Sequence, residues 1–159
     1  MTKRISKVKK QPVALSADFR DFLTLLSKYE VEYLTIGGYA VNAYGFIRAT
    51  KNIDFWFHNT PENCTQLEAV TRGFGIMPFD KEELTESGMV FQTGFEFERI
   101  DLLNSAGEDF AGAFARSSLE MVDGVPLRLI ALEDLFVLKR FAGRPKDLED
   151  IRRLGGQVT

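Results

Sequence analysis

The chain is poor in the residues that make covalent or metal scaffolds. It carries one cysteine, Cys64, and one histidine, His58, in 159 residues. A lone cysteine excludes an internal disulfide and suits a reducing compartment. His58 falls at a predicted strand end beside a loop and reads as a solvated terminal residue. That leaves neither a multi-histidine metal centre nor a serine–histidine–aspartate triad. No apolar run approaches bilayer length, and the residues after the basic start supply no signal-type apolar core. The expectation is a cytoplasmic protein with no membrane partner. Internal repeats and Pro/Gly/Ser-rich linkers are absent.

What is present is the material of a folded core: 45% hydrophobic residues, with fourteen phenylalanines. The length suits one domain, expected over residues 12–159. Residues 1–11 hold five positive charges (Lys3, Arg4, Lys7, Lys9, Lys10) and no acid, which leaves the rest of the chain at -8. We expect a flexible basic tail there. Such a tail could also touch nucleic acid, but an acidic body argues against a broad nucleic-acid-binding face.

Hydrophobic spacing predicts a helix capped by Ser16, with Phe19, Phe22, Leu23 and Leu26 on one face, ending near Tyr29. Residues 31–36 read as a strand broken by Gly37 and Gly38, followed by a short helix over 39–44 that Gly45 closes. Residues 53–58 form a second strand. Thr60, Pro61 and Glu62 start a helix that carries Cys64, Leu67 and Val70 inward and ends near Gly73. Cys64 reads as a small buried apolar residue. Two strands, 89–93 and 97–103, suggest a hairpin around Gly94. A second hairpin turns at Asp123 and Gly124. Residues 105–116 show no regular pattern. Leu132, Leu135, Phe136, Leu138 and Phe141 mark a helix ended by Gly143, and Pro145 starts a final helix stopped by Gly155 and Gly156. Hairpins clustered after a β-α-β start argue for an α+β fold: a mixed sheet with helices packed against it and two C-terminal helices.

The chemistry concentrates on two strands. Alternation puts Asn52 and Asp54 on one face of the second strand and Ile53, Phe55 and Phe57 on the other. By the same parity Trp56 joins the Asp54 face, where it could stack on a base or pack across the sheet. Asp101 stands between Ile100 and Leu102 on a later strand. A carboxylate there needs a cation, either a metal or Arg99, or a wet site. The Gly37–Gly38 turn is either an ordinary tight turn or a backbone that can approach a phosphate.

Residues 34–41, then Gly45 and residues 48–56 with Arg48, Lys51, Asn52 and Asp54, resemble the signature of the nucleotidyltransferase (polymerase-beta-like) superfamily. The resemblance is closest to a small bacterial group within it. It continues through residues 88–94, Arg99–Leu103, Leu132, Glu133, Asp134, Leu135 and Lys139, and residues 143–150. The C-terminal pieces also resemble abortive-infection toxins of that fold.

The resemblance implies transfer of a nucleoside monophosphate from a nucleoside triphosphate to an RNA, protein or small-molecule acceptor, assisted by two Mg2+ ions. It further implies a toxin–antitoxin partner. Carried over by position, Gly37 and Gly38 approach the triphosphate, with Arg48 and Lys51 of the signature among the nucleotide-binding positions. Asp54 binds metal, and Asp101 completes the site and helps activate the acceptor hydroxyl. Lys139 contacts phosphate, and Lys146 and Asp147 line the same cleft. For Lys146 and Asp147 an ordinary charged helix face, or an ion pair fixing the last helix, stands as the other reading.

The chain departs from the family pattern at Asn52, where the Asp-x-Asp motif has its first acid. An amide keeps an oxygen ligand and loses the charge, so metal binding by Asn52, Asp54 and Asp101 is expected to be weakened. A catalytically degenerate nucleotide- or protein-binding member of the fold is therefore the alternative. Tyr44, where relatives carry histidine, is expected to alter the shape of the pocket.

Overall fold

The computed structural model describes residues 15–47, 50, 52–94 and 98–159. The basic tail, Arg48 and Lys51 lie outside these residues. The described residues form a six-stranded mixed sheet and seven α-helices.

Helix α1 (Ala17–Lys28) begins where Ser16 accepts a hydrogen bond from the Phe19 amide at 3.2 Å, the predicted cap. Strand β1 (Tyr33–Ile36) runs directly into α2 (Gly37–Ala43), and β2 (Asn52–Phe57) follows. Thr60 caps α3 (Pro61–Phe74), whose C-terminus turns at Gly75 with a left-handed φ of 88°. A short α4 (Lys81–Thr85) precedes the hairpin strands β3 (Val90–Thr93) and β4 (Arg99–Leu103). Asp109 caps α5 (Phe110–Arg116). Strands β5 (Ser118–Val122) and β6 (Val125–Leu129) join at Asp123 and Gly124, whose φ values of 53° and 83° are those of the expected tight hairpin turn. Helices α6 (Leu132–Ala142) and α7 (Pro145–Arg153) close the chain.

The sheet order is β3-β4-β2-β1-β6-β5. The pairs β2–β4 and β1–β6 are parallel, and the remaining neighbours are antiparallel. This agrees with the mixed sheet expected from the hairpin pattern.

One face of the sheet is apolar. Ile53, Phe55 and Phe57 of β2 lie on it with Ile100 and Leu102 of β4, and all are buried. Helix α1 covers this face: Phe22 stacks on Phe55 with ring centroids 5.9 Å apart and meets Phe74 of α3 edge-on at 5.2 Å. Such aromatic contacts contribute about 0.5–1.5 kcal/mol beyond the burial of their area.

Two helices went unread in the sequence. Helix α4 has five residues and shows one buried side chain, Leu84. Helix α5 buries Phe110 and Ala113 only. Neither is long enough for helical periodicity to declare itself. Among the described residues no helix is long and apolar enough to cross a membrane.

Candidate active site

The opposite face of the sheet carries the acids. Register pairs Asn52 with Arg99 and Asp54 with Asp101 across the parallel β2–β4 junction. Aligned residues of neighbouring strands point the same way, so these four side chains make a patch two residues long and two strands wide. On the other side of β2, Asp54 is in register with Ile36, the last residue before the Gly37 turn.

Hydrogen bonds link all four side chains of the patch. The Asn52 Nδ2 amide donates to Asp54 Oδ1 at 2.7 Å and to Asp101 Oδ2 at 3.1 Å. Arg99 grips Asp101 with two donors, Nε to Oδ1 at 2.9 Å and Nη2 to Oδ2 at 3.2 Å. Asn52 thus ties the two carboxylates together, and a fork from Arg99 compensates the more deeply buried of them. Burial pushes the Asp54 carboxyl up to about 7, reinforced by the charge of Asp101 and a hydrogen bond with it; Arg99 and Lys139 pull the other way.

Gly37 explains how the turn comes so close. Its φ of 68° is left-handed, and a Cβ there would run into the Asp54 carboxylate. Gly38 is buried in the first turn of α2, which has no side-chain cap. The first backbone N–H groups of that helix therefore lack a side-chain acceptor.

Helices α6 and α7 bring positive charge toward Asp54. Lys139 is buried and pairs with Asp150 at 2.9 Å and Asp147 at 3.4 Å. Arg144 closes on Asp147 with Nε to Oδ2 at 2.6 Å. Burial alone would raise the Asp147 carboxyl; the hydrogen bond from Arg144 and the charge of Lys139 hold it below the usual range. Lys139 and Asp147 therefore fasten α6 to α7, which for Asp147 is the ion pair given as its other reading. Lys139 still acts on Asp54 electrostatically. Lys146 sits exposed on the first turn of α7, while Asp147 beside it is buried.

Two expectations, for Tyr44 and His58, need correction, and of the two readings of Trp56 the structure shows the packing one. Tyr44 is buried, and its hydroxyl donates to the Ile130 carbonyl at 2.7 Å, so it anchors the chain after β6 and does not shape a pocket. Trp56 meets Phe110 edge-on at 5.2 Å and is only 3% exposed, which makes it packing and no platform for a base. His58 is no free terminal residue: it stacks on Phe110 at 4.7 Å and contacts Glu32 Oε1 at 2.8 Å.

A family model described as a nucleotidyl transferase of unknown function matches residues 16–159. The chain belongs to this family. Solved structures of nucleotidyltransferases share its fold. The crystal structure of ANT(2'')-Ia in complex with adenylyl-2''-tobramycin is 18% identical, covers 84% of this chain and 83% of its own, and has a TM-score of 0.54. The solution structure of the same antibiotic-resistance factor is 17% identical over 96% of this chain and 83% of its own, with a TM-score of 0.56. A Thermotoga maritima protein described as a nucleotidyltransferase is 12% identical over 84% of this chain and 88% of its own, also with a TM-score of 0.56. A comparison with curated proteins found no match.

In this member of the family, the donor set suits one hard cation and not two. Magnesium is commonly held by one or two carboxylates plus substrate phosphates. Asp54 and Asp101 meet that demand, but a shared pair of ions calls for the third acid that Asn52 replaces. Among the described residues no three acidic, histidine or cysteine side chains gather as a metal-binding group.

Arg99, which the sequence offers as a possible cation for Asp101, takes that place in the patch, whereas Arg144 beside Asp147 was not anticipated. Arg99 had a signal, since it precedes Asp101 by two residues on one strand and so shares its face. Arg144 had one too: it stands at the N-cap of α7 three residues before Asp147 at N3, the spacing of a capping box.

A cavity of about 570 Å³ opens beside Trp56, lined by Ala106, Gly107, Leu138 and Phe141, with the Arg116–Asp134 ion pair also in its wall. A wider depression of about 690 Å³ is lined by Asp18, Asp21, Leu25 and Gly73 on α1 and α3, and none of the four patch residues borders either space.

Proposed function

We propose that the protein transfers a nucleoside monophosphate from a nucleoside triphosphate to a small-molecule hydroxyl. The observation that carries this reading is the register that sets Asp54 beside both Asp101 and the Gly37 turn. Asp54 and Asp101 would hold one magnesium ion, which when bound draws charge from the triphosphate and orients it.

The chain's own residues do the rest. The turn at Gly37 and Gly38 lets backbone approach the phosphates without a side chain in the way. Lys139, held by two acids, adds fixed positive charge near Asp54 where negative charge gathers during transfer. The acceptor oxygen bonds to the α-phosphorus as the bond to the pyrophosphate oxygen breaks. The hydroxyl proton passes to the Asp54–Asp101 carboxylate pair, and pyrophosphate leaves.

The cavity by Trp56 favours a small acceptor over tRNA or a protein. Its volume lies in the range of ligand pockets, and Trp56 shares the strand face of Asp54 two residues away. The complex of ANT(2'')-Ia with adenylyl-2''-tobramycin shows that a relative of the same fold holds a small molecule bearing an adenylyl group.

Calorimetric titration with ATP, CTP, GTP and UTP in the presence of magnesium tests the reading. We expect one triphosphate to bind the wild type, and Asp54→Ala to weaken that binding at least tenfold, about 1.4 kcal/mol. Failure of all four nucleotides to bind the wild type would remove the proposal.

A further inference from the structure

We propose that Asn52 makes the ion site conditional: the free protein takes up no divalent cation of its own, and a single ion enters together with the nucleoside triphosphate. This rests on the nucleotidyl-transfer reading above and specifies how that site loads.

Asp54 and Asp101 offer an ion four carboxylate oxygens. Asp54 Oδ1 accepts from Asn52 Nδ2 at 2.7 Å. Asp101 Oδ2 accepts from the same nitrogen at 3.1 Å and from Arg99 Nη2 at 3.2 Å. Asp101 Oδ1 accepts from Arg99 Nε at 2.9 Å. The fourth, Asp54 Oδ2, lies against Gly37, in the space a Cβ would occupy.

Three of the four oxygens are therefore already hydrogen-bonded, and one amide nitrogen spans the two side chains that an ion would have to share. Arg99 supplies a full positive charge to Asp101. A bare dication must displace these donors, and it gains only a partly compensated pair of acids in return. An ion carried by a triphosphate arrives with phosphate oxygens as further ligands, and the phosphates gain the Gly37–Gly38 backbone. An aspartate at position 52 would remove the donor and add a charge, so the site would then load without nucleotide.

Manganese is the probe, a paramagnetic substitute for magnesium with the same preference for oxygen ligands. Free Mn2+ is followed by electron paramagnetic resonance as it is titrated into the full chain, with and without a non-hydrolysable triphosphate analogue. For the wild type we expect no uptake tighter than about 1 mM without the analogue. With the analogue we expect one Mn2+ per chain. Asn52→Asp should bind Mn2+ without analogue at least tenfold more tightly than wild type, and Arg99→Gln should move the same way by freeing Asp101. The second variant decides the matter if Asn52→Asp does not fold.

Tight uptake of Mn2+ by the wild type alone, with the analogue still binding, would overturn this inference and leave the nucleotidyl-transfer reading standing. No gain in either folded variant would also overturn it. An analogue that does not bind with or without Mn2+ would overturn both.

Discussion

The two faces of one strand, β2, follow opposite rules. Toward α1, Ile53, Phe55 and Phe57 pack among rings and aliphatic chains, where no single contact is indispensable. That face even holds a polar atom with no partner among the described residues, the Thr35 hydroxyl. Toward α6, Asn52 and Asp54 belong to a patch in which three of the four carboxylate oxygens have named donors. Apolar packing is non-directional, so its errors are spread over many contacts. Buried charge is directional and costly when unpaired, so its errors fall on single residues. Strand parity thus keeps the residues that hold the fold apart from the residues that bear charge.

Breaking the apolar face gives the largest effect. Phe22→Ala removes a fully buried ring between Phe55 and Phe74, and we expect a loss of about 3–5 kcal/mol in urea denaturation. A loss below about 1 kcal/mol would mean the neighbouring rings close the gap, against a close-packed face. On the charged side, Lys139→Met leaves Asp147 and Asp150 buried without their shared cation. Asp147 keeps Arg144, so we expect roughly 3 kcal/mol, the low end for breaking a buried pair. An unchanged denaturation midpoint would show that the α6–α7 junction does not depend on this network.

The smallest effect sharpens the comparison by its sign. The Asp54 carboxyl sits near 7 in the folded protein and near 3.8 when unfolded. A group raised on folding contributes fully below its unfolded value, and that contribution is lost as pH rises through the folded value. Without metal or nucleotide, ionised Asp54 therefore weakens the fold above about pH 7. Asp54→Asn should raise the melting temperature at pH 8 by about 5 °C and by less at pH 5. A variant less stable than wild type at both pH values would show that the Asn52 and Arg99 contacts outweigh the burial of the charge.

Much of this division was legible in the sequence. Alternation in residues 52–57 separated the two faces, and cap residues such as Ser16, Thr60 and Pro145 located helices within a residue or two. The Asp123–Gly124 turn fixed its hairpin. The rest depends on distant partners. Residues 105–116 hide α5 because its burial comes from Trp56 and His58, far back in the chain. Tyr44 looked like a pocket residue because sequence shows position without direction, and its partner Ile130 lies 86 residues on. The amide bridge from Asn52 required knowing which strand sits beside β2. The sequence showed the missing acid but not the hydrogen bonds that occupy its place.

The parallel pairing of β2 with β4 also sets the order in which the protein can come into being. Asn52 and Asp101 stand 49 positions apart, and Lys139 comes later still. Strand β1 needs β6 beside it, with Tyr33 holding the Arg128 amide across 95 residues. Contacts of such long range cannot form until their second half exists, and closing those loops slows folding. A chain emerging from the ribosome therefore exposes Asp54 for some time as an ordinary solvated carboxylate. Only a nearly finished polypeptide can bring Asn52, Asp54, Asp101 and Lys139 together.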